Sequence, residues 1–113
     1  MEKRGIAMGK KTELVKSLKK FAEEISDDVP VDSMYLFGSQ AAGRTHKNSD
    51  VDLLLVSKKF KGKRRLKRSP QLYLKWNLAY PVDFVCLTPK EFRDKKDQIG
   101  IVREAVRNGV KII

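Results

Sequence analysis

The sequence predicts an α/β (α+β) fold: a mixed β-sheet of three to four strands flanked by helices. Three short apolar runs, residues 34–37, 50–57 and 82–87, have the length and composition of buried strands. Segments around them repeat their apolar residues at helical spacing. Interleaving both patterns in 113 residues implies one domain, with helices expected on one side of the sheet.

Residues 1–11 are basic, contain two glycines and are expected to be flexible. Thr12 is a suitable N-cap for a helix that places Leu14, Val15, Leu18, Phe21, Ala22 and Ile25 on one face. Residues 27–30, Asp-Asp-Val-Pro, close it. The strand at 34–37 runs into Gly38-Ser39, residues 39–43 are expected to begin a helix, and the polar stretch 44–49 a loop. The strand at 50–57 is followed by the almost wholly basic run 58–68. A helix over 69–79, with Pro70 in its first turn, gathers Leu72, Tyr73, Trp76 and Tyr80 near one face, and Pro81 ends it. After the strand at 82–87, Pro89 opens a helix through Glu91 and Phe92. A further helix over 98–107 ends at Asn108-Gly109, and 110–113 can add an edge strand.

The balance of 25 Lys+Arg against 14 Asp+Glu gives a formal charge of +11, which favours polyanionic partners: a triphosphate, nucleic acid or an acidic protein. No apolar stretch reaches the ~18 residues of a membrane span, and no signal-peptide core follows the basic N-terminus. The one cysteine, Cys86, excludes an internal disulfide and suits a reducing compartment, so a cytoplasmic location is expected.

The chemistry concentrates in two places. Gly38-Ser39 sits where a strand hands over to a helix, and amides at a helix N-terminus bind phosphate oxygens; glycine allows the close approach and the Ser39 hydroxyl adds a donor. The bland alternative is an ordinary Gly-Ser turn. Ten residues later, Asp50-Val51-Asp52 heads the run Leu53-Leu54-Leu55-Val56. Period-two alternation points both carboxylates one way while Val51 enters the core. Such a pair repels unless protonated or bridged by a cation, and oxygen-only ligands favour Mg²⁺ or Mn²⁺ over zinc. The alternative makes Asp50 a turn cap and Asp52 an exposed edge residue. Asp83, one polar residue in another apolar run, completes a carboxylate triad if the two strands are neighbours.

Phe37-Gly38-Ser39, ten residues, then Asp50-Val51-Asp52-Leu53, with Asp83 on a later strand, resembles the nucleotidyltransferase superfamily that includes DNA polymerase β, and in particular its minimal, antitoxin-type members. The likeness extends from about residue 14 to the C-terminus. It implies transfer of a nucleoside monophosphate, AMP from ATP, to a hydroxyl, with two divalent ions held by Asp50, Asp52 and Asp83. Asp83 would also accept the hydroxyl proton. Gly38 and Ser39 would hold the β- and γ-phosphates. Many minimal relatives carry Arg-Gly shortly after the serine; here Ala42-Gly43 stand there, and Arg44 is the phosphate-binding candidate in its place.

The resemblance also implies a partner, a small helical toxin modified on a tyrosine, while the small size and lack of an acceptor domain equally suit a homodimer. A second class of function remains beside it: a catalytically quiet module that binds nucleic acid or a protein through the basic run 58–68. Transfer to a small hydroxylated compound ranks third, since relatives of that kind carry an additional acceptor domain. Tyr73, Trp76 and Tyr80 are read as core in preference to base-stacking residues, His46 as an exposed loop residue, and Cys86 as a buried apolar residue.

Overall fold

In the computed structural model, residues 2–38 and 50–113 are described, residues 2–11 by their backbone alone. The expectations for Ser39, the helix start at 39–43, Ala42-Gly43, Arg44, His46 and the loop 44–49 lie outside the described residues. The elements run α1 (Glu2–Ile25), β1 (Ser33–Phe37), β2 (Val51–Val56), a 3-10 turn (Lys58–Phe60), α2 (Arg65–Arg68), α3 (Pro70–Lys75), β3 (Val82–Leu87), α4 (Pro89–Lys95), α5 (Ile101–Asn108) and β4 (Val110–Lys111).

The strands form one mixed sheet in the order β3-β2-β1-β4. β1 is antiparallel to both β2 and β4, whereas β2 and β3 are parallel. The parallel pair requires a crossover, and the segment between Ser57 and Pro81 supplies it with the 3-10 turn, α2 and α3.

Strand side chains alternate between two cores. Met34, Leu36, Val51, Leu53, Leu55 and Cys86 pack with Leu14, Leu18, Phe21 and Ile25 of α1, with Leu72 of α3 and with Phe60. Tyr35, Leu54 and Leu87 pack on the other face with Val102 and Ala105 of α5 and Phe92 of α4. The expectation of helices on one side therefore gives way to helices on both. β2 is buried on both faces because it is central and pairs in parallel with β3, which is why it reads as an unbroken apolar run. Each fully buried Leu or Phe stabilises the fold by about 1.5–3 kcal/mol, so α1 is held mainly by its stripe.

Three boundaries differ from expectation. The backbone of α1 starts at Glu2, which puts Thr12 inside the helix and not at its N-cap. Lys, Glu, Ala and Met are good helix formers, and the two glycines cost only about 1 kcal/mol each. The helix expected over 69–79 stops at Lys75, because Trp76 turns to extended backbone (φ −75°, ψ 116°). There its indole packs edge-on to Phe21 and Phe84 and donates to the Tyr80 carbonyl at 2.8 Å. α5 begins at Ile101 and not at residue 98, since Gly100 takes φ +151°, a backbone that only glycine adopts freely.

The basic run is ordered. Phe60 is fully buried, and Arg68 is 5% exposed. The Arg68 guanidinium donates to the Lys63 carbonyl (2.9 Å), the Cys86 carbonyl (3.0 Å) and both carboxylate oxygens of Glu91 (2.6 and 3.2 Å). Glu91 also closes a capping box with Thr88 at the start of α4. Arg68 holds its carboxyl well down, to about 2. One buried cation thus ties the crossover, β3 and α4 together.

Candidate active site

β2 and β3 run in parallel with Asp52 opposite Asp83, so the two carboxylates stand side by side on one face. That register exists because Val51 pairs with Val82 and Leu53 with Phe84 on the α1 face, which leaves the intervening aspartates on the other. They lie at the N-terminal ends of their strands, beyond the second core, where Leu54 and Val85 are the next residues inward on that face. Asp50 is exposed one residue before β2, and Asp83 is exposed on an edge strand.

Burial raises the pKa of Asp52 above the ordinary carboxylate range, and the charges of Asp83 and then Asp50 push it further the same way. Both of the other predicted carboxylates therefore act on Asp52. The charge of a neighbouring acid disfavours ionisation of Asp52, and a cation would reverse that. Among the described residues, no group of three acidic, imidazole or thiol side chains closes around a single point. Asp50, Asp52 and Asp83 share a neighbourhood without converging.

β1 ends against the same place. Phe37 is paired with Asp52, and Gly38 follows it with φ +80°. A Cβ on Gly38 would overlap the Asp52 carboxylate, with Oδ2 as its nearest atom. Glycine is thus required twice, for its backbone angle and for room beside the carboxylate. The sequence points Gly38 to phosphate alone and carries no sign of its contact with Asp52, since the Gly-x13-Asp spacing does not encode it.

Two other readings are settled by position. Cys86 is buried and its thiol is pushed up to about 12, chiefly by that burial, so it is no nucleophile. Of the three aromatics read as core, only Trp76 packs against the α1-side core. Tyr73 and Tyr80 are exposed, because the helix expected to carry all three inward on one face ends at Lys75, and Tyr73 only leans edge-on against Phe84. The Arg68–Glu91 pair went unseen in the sequence, although Thr88-Pro89-Lys90-Glu91 is a legible capping-box signature.

The family model for the nucleotidyltransferase domain matches residues 18–110, which span β1, both aspartate-bearing strands and α5. A crystal structure of a candidate nucleotidyltransferase from Sulfolobus solfataricus shares the fold, with a TM-score of 0.64 and 25% identity over 93% of this chain and 84% of that one. No curated protein matches by sequence. With a carboxylate pair in register beside a glycine turn and a family match over most of its length, the chain belongs to the nucleotidyltransferase domain family.

Proposed function

We propose that this nucleotidyltransferase transfers AMP from ATP to a hydroxyl group, using Mg²⁺ or Mn²⁺ held by Asp50, Asp52 and Asp83. The observation that carries the reading is the Asp52–Asp83 register, beside a glycine that admits no side chain. The donor set has the all-oxygen chemistry that hard divalent cations take, although the three carboxylates do not close around one point here. Burial and then the charges of Asp83 and Asp50 oppose ionisation of Asp52, which a bound cation would relieve. When bound, such ions neutralise the triphosphate and favour ionisation of the acceptor hydroxyl.

The chain's own groups then have distinct tasks. The Gly38 turn lets the triphosphate lie close to the backbone, with Ser39 and Arg44 as further phosphate donors. Asp83, exposed on its edge strand, takes the proton as the acceptor oxygen bonds to the α-phosphorus. The bond from that phosphorus to the bridging oxygen breaks, and pyrophosphate leaves with the electron pair. Positioning and charge neutralisation supply most of the acceleration.

Exposure of Asp83 also favours an acceptor brought by another chain, for which we propose a tyrosine of a small helical toxin that the protein silences. The cytoplasm suits this role because it supplies ATP. The test is incubation with α-labelled ATP, Mg²⁺ and the product of the adjacent reading frame. Label should appear on that product and fall by about a thousandfold with Asp52→Asn or Asp83→Asn. Equal labelling by either variant would show that the reaction does not use these carboxylates.

A further inference from the structure

We infer that the 3-10 turn, α2 and the loop joining them form a second site, at the opposite end of the sheet from the aspartates, that binds the phosphate backbone of a nucleic acid duplex. Asp52 and Asp83 lie at the N-terminal ends of the parallel strands. The basic run leaves the C-terminal end of β2, where the Ser57 amide bonds the Leu87 carbonyl and Arg68 reaches the Cys86 carbonyl. At ~3.3 Å per residue, five residues of strand separate the two ends by about 16 Å. The run therefore does not line the aspartate site and cannot serve there as a phosphate clamp.

Its charge is also unbalanced. No acidic residue occurs between Asp52 and Asp83. Residues 1–52 hold nine basic and nine acidic residues, and residues 53–113 hold sixteen and five, so the whole +11 belongs to the second part. Every basic residue from Lys58 to Lys67 is exposed. The two acids that approach them, Glu91 and Asp28, are tied to Arg68 and Lys75. Among the described residues, none of those exposed cations has an ion-pair partner. The buried Phe60 and Arg68 fix the backbone that presents them.

The chemistry favours a nucleic acid duplex over the alternatives. Protein interfaces are depleted in lysine and anchored by buried aromatic and apolar groups. Here lysine dominates, and Leu66, 85% exposed, is the one exposed apolar side chain of the segment. Its only aromatic residue, Phe60, is buried, which leaves no platform for stacking the bases of a single strand. Asn and Gln are absent from 58–68, and the exposed charges follow no groove-reading helix, so contacts should fall on phosphates and be indifferent to sequence.

The test uses the full chain and a fluorescein-labelled 20-base-pair DNA duplex of arbitrary sequence, read by anisotropy from 50 to 200 mM salt. The triple variant Lys63→Glu, Arg64→Glu, Arg65→Glu should bind at least thirtyfold more weakly and lower the salt slope by about two to three. A charge-matched control, Lys16→Glu, Lys19→Glu, Lys20→Glu on the exposed face of α1, should stay within threefold of the parent chain, as should a scrambled duplex. Thermal unfolding of both variants confirms that they fold. Equal loss in the control would reduce the effect to net charge and overturn the site. So would tighter binding to vesicles containing phosphatidylserine or to polyglutamate than to the duplex. Failure here would leave transfer from ATP untouched, because label incorporation at the aspartate end is read separately.

Discussion

The two ends of β2 carry opposite charge, and they manage it in opposite ways. At its N-terminal end Asp52 stands beside Asp83 with Asp50 nearby, and the fold offers these acids no internal cation among the described residues. At its C-terminal end the basic segment is pinned by one buried guanidinium that has four acceptor contacts, including both oxygens of Glu91. A pair satisfied internally serves stability, whereas like charges brought into register without a counter-ion serve a ligand. The acidic end is thus the one we propose as reactive, whereas the Arg68 cluster ties the crossover, β3 and α4 together.

The largest expected effect breaks the acidic end. Asp52→Asn or Asp83→Asn should lower nucleotidyl transfer by about a thousandfold while the far-ultraviolet circular dichroism stays unchanged. Gly38→Ala should follow, with a loss of roughly a hundredfold in transfer, since the added Cβ strains a φ of +80° and displaces the Asp52 carboxylate. At the basic end the loss should be in stability and not chemistry. Arg68→Met leaves Glu91 and two carbonyls without their donor, at a cost of about 3 kcal/mol, or roughly 10 °C in melting temperature. Residual transfer measured well below that melting point should match the parent chain.

Acid sharpens the contrast, because the two ends respond with opposite sign. Glu91 is held at about 2 against an ordinary 4.5, so its contribution is complete above 4.5 and disappears as pH falls towards 2. Asp52 is raised, so the folded state takes up its proton more readily than the unfolded chain does, and protonation favours folding. Melting curves of the metal-free protein should show Glu91→Gln destabilised at pH 7 and converging on the parent near pH 2. Asp52→Asn should be more stable than the parent at pH 7, with the advantage shrinking in acid. The smallest effect is expected at the exposed Lys75–Asp28 pair, where Lys75→Met should leave the melting temperature unchanged within about a degree.

What could be read in advance follows the physics of each element. β2 was legible because a strand buried on both faces must be apolar throughout, and the aspartates interrupting such runs at 52 and 83 stood out against that demand. Their register was not legible: nothing in either run says that Val51 meets Val82. The placement of helices on both faces was missed because α4 and α5 are short and their contacts with the sheet are long-range. The end of α3 at Lys75 depended on where the Trp76 ring packs, a tertiary preference that overrode local propensity. Arg68 was hidden among identical charges, and its burial depends on Glu91, twenty-three residues away.

The central claim is that the acidic end of β2 and β3 holds a divalent ion beside nucleotide. The direct measurement is calorimetric titration of Mn²⁺ into the chain saturated with a non-hydrolysable ATP analogue, comparing the parent with Asp52→Asn and Asp83→Asn. The parent should bind the ion at least thirtyfold more tightly than either variant. Equal affinity in all three would contradict the claim.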